Sequence, residues 1–482
     1  MSHTLILYAA GHLREEVLSA MNLTCSARHH DSTKTQEMHR CTVGLTLAVV
    51  LLLVAPSVWA GLDQGKQPTD DYPPDVAWVW FDTLYEVVKS EAAAPPPASR
   101  IYGVSAVALY EAVIPGALYH RSLAGQLNDL ASVPQPKKHR KHHWPTVANA
   151  ALARTIRGLF PSLKPENLEA INALEQRFAA QFQVEVKRRE YKRSEAHGQA
   201  VADAILAWAA TDGFSTVNNC PYVPNPVPGA WERTPPGFAP NPLQPCWGQL
   251  RPMVLASGAE CAPPGHPDFS TDAGSEFYAA ALEVYHTGLT LTEEQQTIAE
   301  YWADGAGATG TPSGHWIALV GQIARNDGLS LAAAAEAYAR VGIAVADAFI
   351  ACWYTKYLTN LQRPVTYIQD HIDGTWLPHI VTPSFPTYTS GHSTQSGAAA
   401  AVLTDLFGSK AFTDTTHSDH HLMPPQEPRS FSSFDEAAAE AAVSRLYGGI
   451  HFSFDNHDGL TAGRCIGQAI IDHVRFKGGD ND

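Results

Sequence analysis

The sequence predicts a mainly α-helical protein. Apolar residues recur at three- and four-residue steps through most of the chain, and proline and glycine punctuate the breaks between those stretches. No region is rich in strand patterns, and no internal repeat is convincing. At 482 residues, 45 % of them hydrophobic, the chain can build a large core, as one large domain or two to three small ones. A net charge of -15 argues against nucleic acid as a partner.

Residues 1–60 read as a targeting segment. Val43 to Trp59 is an apolar run preceded by His39 and Arg40, and Val58-Trp59-Ala60 has the small-x-small pattern of a secretory cleavage site. The expected product is an exported chain, periplasmic or secreted, starting after Ala60. The polar, His-rich stretch before Met38 is unusual for such a signal, so Met38 is a second candidate start. The competing reading of the run is a membrane anchor, for which it is near the lower length limit. No later stretch reads as a span: Leu331 to Tyr354 carries Glu336, Arg340 and Asp347.

From 61 to 213 the pattern is helical. Asp75 to Ser90 and Arg100 to Ile114 are periodic, with Pro95-Pro96-Pro97 read as a breaker between them. His139-Arg-Lys-His-His143 reads as a basic loop. Val147 to Leu159, Pro165 to Phe182 and Val184 to Ala210 follow as helices, the last solvated at its basic start and packed at its Ala-rich end. Residues 214–267 form a Pro-rich loop, long enough to be a covering strap. A disulfide is expected between two of its Cys220, Cys246 and Cys261. Cys352 and Cys465 lie in apolar helical patterns and read as core thiols.

Residues 268–482 form a second helical bundle. Helices are expected at Ser275 to Thr287, Thr292 to Ala303, Leu329 to Tyr357, Ser390 to Leu406, Phe434 to Gly448 and Gly459 to Arg475, with a polar loop from Gly408 to Ser433. Pro312-Ser313-Gly314-His315 reads as part of a Gly/Thr-rich rim loop. The number of copies that assemble is open, and a homo-oligomer is compatible with the sequence.

Three blocks in this bundle carry chemistry. The first holds Lys356 and Arg363, seven residues apart and close to two helical turns. Pro364 disfavours helix at Arg363, which places Arg363 at a helix C-terminal end, where a cation is favoured. Trp353, one turn before Lys356, reads as core or pocket wall. The second block is Ser390-Gly391-His392, opening a helix whose free N–H groups suit an oxyanion. His392 has the right side chain for proton transfer near neutral pH. The third holds Arg445 and His451, with Gly448-Gly449 permitting a break between them, and Asp455 one turn beyond His451 to hold one ring nitrogen. Three buried cations are costly without an anion, so the blocks together predict a site for a tetrahedral oxyanion.

These blocks resemble the signature shared by the vanadium-dependent haloperoxidases and the type 2 phosphatidic acid phosphatases. The resemblance covers the last third of the chain and implies a helix-bundle haloperoxidase fold. It implies that His451 binds vanadium, that Lys356, Arg363, Ser390, Gly391 and Arg445 bond the vanadate oxygens, and that His392 is the acid–base histidine. Asp455 is implied as the partner of His451, and Asp304 as the acidic residue beside the second arginine. Phe385, with Trp353, is implied as a wall of the halide pocket. The implied reactants are hydrogen peroxide, a halide and an organic acceptor, with phosphate competing for the vanadate groups. A soluble acid phosphatase working through a phosphohistidine at His451 is the alternative within the superfamily. A non-catalytic oxyanion-binding protein is the alternative outside it.

Overall fold

The computed structural model describes residues 67–478 apart from 161 and 224. The targeting run, the cleavage pattern, Met38, Cys25 and Cys41 lie outside the described residues.

Helix α1 (Asp75–Ser90) buries Val76, Ala77, Trp80, Phe81, Leu84, Val87 and Val88, the three- and four-residue face that its sequence spells. Helix α2 spans Pro95–Val113. The three prolines expected to break the chain instead form its first turn, where a missing N–H is no loss and the fixed φ is already helical. Then come α3 (Trp144–Leu159), α4 (Pro165–Glu185) and α5 (Arg188–Ala209), with α3 and α5 packed on each other and on α2. The helix expected to start at Val184 starts at Arg188, because α4 runs on to Glu185 and the chain turns extended at Val186.

After the short α6 (Phe214–Val217) the Pro-rich segment runs as a strap across the molecule. It is docked by a buried carboxylate. Asp347 accepts hydrogen bonds from the amides of Met253 at 2.6 Å, Val254 at 2.8 Å and Leu255 at 3.1 Å. It is also stapled. Cys220 bonds Cys246 within the strap, and Cys261 bonds Cys465. The expectation of a core thiol at Cys465 is thus corrected: that residue lies on the exposed side of its helix, where the strap reaches it. Cys352 is a buried free thiol.

The second bundle comprises α7 (Glu276–Leu289), α8 (Glu293–Tyr301), α9 (Thr311–Asn326), α10 (Leu331–Thr359), α11 (Pro364–His371), α12 (Gly391–Phe407), α13 (Thr416–Asp419), α14 (Phe434–Tyr447) and α15 (Ser453–His473). Two differences from the sequence reading share one cause. Ser313-Gly314-His315 is not a rim loop but the first turns of α9, and α15 begins six residues before Gly459. Small residues here mark helix contact rather than loop. A Cβ on Gly314 would come within 2.6 Å of the Tyr102 hydroxyl, and one on Gly463 within 2.1 Å of the Thr394 carbonyl. The polar loop expected between Gly408 and Ser433 contains a small antiparallel pair, β1 (Phe412–Asp414) with β2 (Arg429–Phe431), in the register Phe412 opposite Phe431.

Helix α10 is the axis, 29 residues long and buried along most of its length. It packs against α2 on one side and α12 on the other, and α12 in turn rests on α14 and α15. One hydrophobic cluster takes residues from both sides of the strap. No helix among the described residues is long and apolar enough to cross a membrane. The consequence for the site is positional: the end of α10, the start of α12, the end of α14 and the start of α15 converge.

Candidate active site

Lys356 lies in the last turn of α10 and is wholly buried. Its Nζ donates to the carbonyls of Pro386 at 2.9 Å and Thr387 at 2.7 Å, and it faces the rings of Phe385 and Trp353 at 5.1 and 5.6 Å. Helix α10 stops at Asn360, which takes the left-handed conformation. Arg363 therefore does not share a helix with Lys356, nor does it end one. It is the N-cap of α11, extended at φ -78 and ψ 154, as the residue before a proline prefers. A helix N-terminus does not favour a cation, so Arg363 is held by carbonyls instead: Nε donates to Phe385 at 2.7 Å and Nη1 to Ile450 at 2.9 Å.

The Arg363 Nη1 also donates to His451 Nε2 at 3.0 Å. That bond defines the tautomer. A guanidinium only donates, so Nε2 carries the lone pair and Nδ1 the proton. Nδ1 in turn meets Asp455 Oδ2 at 2.8 Å, and the Thr387 hydroxyl donates to the same carboxylate oxygen. The Phe452 amide adds a third bond to it at 3.1 Å. The turn that brings His451 round depends on Gly449, whose φ of 74° a side chain would strain.

Ser390 caps α12, accepting from the Ser393 amide at 3.3 Å, while its own amide donates to the Asp455 carbonyl at 3.0 Å. Gly391 and His392 form the first residues of α12 and line a cavity of about 470 Å³ together with Arg445, His451 and Asp304. Its apolar wall includes Leu243, Phe349, Trp353, Ile380 and Phe385. Arg445 sits in the last turn of α14, its guanidinium donating to Ser444 Oγ at 3.0 Å and the Ala299 carbonyl at 3.1 Å.

Charge is unbalanced here. Lys356, Arg363 and Arg445 are all at most 1 % exposed, and among the described residues no carboxylate is hydrogen-bonded to any of them. Burial, helped by Arg363, lowers the Lys356 ammonium, and burial raises the Asp455 carboxyl. Burial also presses the guanidiniums of Arg363 and Arg445 down, to about 9 and about 10, so both stay charged at neutral pH. Both histidines are pushed well below their ordinary range, by burial first, then by Arg363 for His451 and by Arg445 and His315 for His392.

Asp304, expected beside the second arginine, spends its hydrogen bonds elsewhere. Both its oxygens face His315 Nδ1, at 3.1 and 3.3 Å, and His315 Nε2 meets Asp414 at 2.7 Å. Trp302 stacks on the imidazole at 4.4 Å. Burial opposes charge on His315, but the two carboxylates outweigh it and push it up to about 10. This sandwich carries a net negative charge, and Asp304 in it acts through space on Arg445.

A model of the second helical-bundle domain of vanadium chloroperoxidases matches residues 369–478. The chain is 27 % identical to the vanadium chloroperoxidase of Curvularia inaequalis and 32 % to the vanadium-dependent bromoperoxidase of Ascophyllum nodosum. Those matches cover 32 % and 22 % of this chain, and it spans only 35 % and 20 % of those relatives' lengths. A bacterial vanadium-dependent iodoperoxidase structure superposes with a TM-score of 0.79 at 33 % identity, over 86 % of this chain and all of that one. The chain belongs to the vanadium-dependent haloperoxidases. A holo-type bacterial vanadium-dependent chloroperoxidase, 16 % identical with a TM-score of 0.60 over 86 % of this chain and 98 % of that one, shares the fold.

The haloperoxidase site fits a tetrahedral oxyanion on its own geometry. Arg363 Nη2 is a buried donor with no protein partner among the described residues. Lys356 has three donors and spends two on carbonyls. A buried donor left unpaired costs about 1–3 kcal/mol, so an acceptor of several lone pairs is what the pocket lacks. Sequence reasoning did not single out Thr387 or Asp414, and it placed His315 only in a rim loop. Thr387 stands three residues before Ser390 in the Pro-punctuated stretch, a usable signal for a second hydroxyl at the site. His315 and Asp414 are 99 residues apart, and no local pattern joins them.

Proposed function

We propose that this haloperoxidase holds vanadate and oxidises a halide with hydrogen peroxide, H2O2 + X− + H+ giving HOX and H2O, the product then halogenating an organic acceptor. What carries the reading is one juxtaposition: donors left unpaired on buried cations beside a histidine whose unprotonated Nε2 is turned to Arg363. Lys356, Arg363, Ser390, the Gly391 amide and Arg445 hold the vanadate oxygens, and His451 Nε2 binds the metal. When bound, vanadate supplies a Lewis acid that activates peroxide toward attack by halide. Phosphate competes for the same donors.

The remaining work falls to side chains. Asp455 and Thr387 hold the His451 ring in the tautomer that keeps Nε2 unprotonated. His392, kept neutral by burial, Arg445 and His315, takes a proton from incoming peroxide at Nε2 and returns it as water forms. Trp353 and Phe385 wall the halide pocket and exclude water from it. The two disulfides fit an oxidising compartment, which supports the reading of residues 1–60 as an export signal.

The test is peroxide-dependent halogenation of a phenolic dye by the purified protein, with and without orthovanadate. Iodide is the first halide to try, given the iodoperoxidase relative. Vanadate-dependent turnover lost in His451→Ala is the expected result. Vanadate-inhibited hydrolysis of an aryl phosphate, with no halogenation under any halide, would overturn the reading.

A further inference from the structure

The basic loop at 137–143 takes no part in the site described above. It does not stand alone. Residues 137–143 and 187–193 together hold nine of the chain's 33 lysines and arginines and a single carboxylate, Glu190, in a protein of net charge -15. The fold stitches the two segments together. The Arg193 guanidinium at the start of α5 donates to the Lys141 carbonyl, from Nε at 2.9 Å, and the His143 amide donates to Ser194 Oγ at 2.8 Å.

Between them lies a cavity of about 520 Å³ lined by Lys137, Arg140, Arg189, Lys192, Arg193 and His197. Acids nearby do not neutralise it. Glu195 pairs with Lys192 at 2.8 Å and Glu185 with His143 at 3.2 Å, while Lys137, Arg140 and Arg189 have no ion pair among the described residues. His197 is 7 % exposed and its Nε2 has no hydrogen-bond partner. A buried ring nitrogen beside unpaired cations marks a place for an acceptor. Concave walls focus the positive field, so the cavity inverts the sign of the protein around it.

We propose that this cavity binds a small organic polyanion carrying two or more sulfate or phosphate ester groups. Size and charge argue for this over a single inorganic ion. The volume is in the range of sites for whole organic ligands, about 300–1,000 Å³. The unpaired cations come from two separate segments, which suits several anionic groups more than one. None of these residues lines the catalytic cavity, so the site is independent of vanadate.

Calorimetric titration of the full chain, its active site saturated with orthovanadate, decides the matter. Sucrose octasulfate and inositol hexakisphosphate are the probes, with inorganic sulfate alongside. The expected result is saturable binding of at least one polyanion, weakened about tenfold or more by the double variant Arg140→Glu, Arg189→Glu and by added salt. Both residues are exposed, so melting temperature and peroxidase turnover should not change, and Arg140→Gln with Arg189→Gln gives a milder pair. Absence of saturable binding, binding indifferent to the charge reversal, or equal affinity for inorganic sulfate would each overturn the proposal.

Discussion

His451 is useful because of what its neighbours do to it. Arg363 on one side and Asp455 on the other force a single tautomer, and Thr387 holds the Asp455 oxygen that accepts the hydrogen bond from Nδ1–H. Asp455→Asn keeps the shape but lets the amide nitrogen face Nδ1, which favours the opposite tautomer. We expect a 10- to 100-fold loss of vanadate affinity by equilibrium titration, the usual cost of losing a ligand histidine's carboxylate partner. Thr387→Val should move affinity the same way but less, since the His451–Asp455 bond survives. Unchanged affinity in both would show that tautomer control is not their role. The His451–Asp455 pair was legible for a local reason: the two stand four residues apart, Asp455 in the first turn of α15 and His451 just ahead of it.

At the scale of the element, α9 and the stretch ahead of it form an electrostatic clamp. His315 is raised to about 10 in the folded protein against an ordinary 6.5, and Asp414 is held well below the usual carboxylate range by His315 and Thr416 despite its burial. For a raised histidine, the stabilisation is fully present below pH 6.5 and fades as pH climbs through 10. His315→Gln should therefore lower the melting temperature most near pH 6 and least near pH 10. Thermal denaturation across that range checks it, and an equal deficit at both ends would locate the loss in packing rather than charge. The sequence reading missed this element because serine, glycine and threonine spell loop when their neighbours are unknown. Against Tyr85 and Tyr102 they are the residues small enough to let α9 pack. Arg363 was misplaced for a related reason. Pro364 signals a helix boundary without saying whether one ends or another begins.

For the whole molecule, the strap is the largest commitment made without regular structure. Asp347 carries it on α10, and burial raises that carboxyl to about 6 while three amides oppose the shift. Asp347→Ala leaves those amides unpaired and should cost on the order of 3 kcal/mol by chemical denaturation. The Cys261–Cys465 bond closes 204 residues and ties the strap to α15. In the chain-entropy view such a loop is worth up to about 5 kcal/mol, so Cys465→Ala should lower the melting temperature clearly in non-reducing buffer. A negligible change would mean that Asp347 and the buried Trp247 hold the strap unaided.

The sequence by itself determined the helical class, most of the helix positions and the cation and histidine set of the site. Those features rest on spacing along one chain, where three- and four-residue periods and neighbouring side chains report directly on geometry. Tertiary structure alone decided which cysteines meet, that Arg363 opens a helix, and that Asp304 turns to His315 instead of bonding Arg445. The Cys261–Cys465 pair is 204 residues apart, and the other two depend on which elements pack beside them, which local order does not specify. The inverted charge of the site shows both sides. The blocks taken together predicted that the cations share a buried pocket, but which donors are left over there is a property of packing.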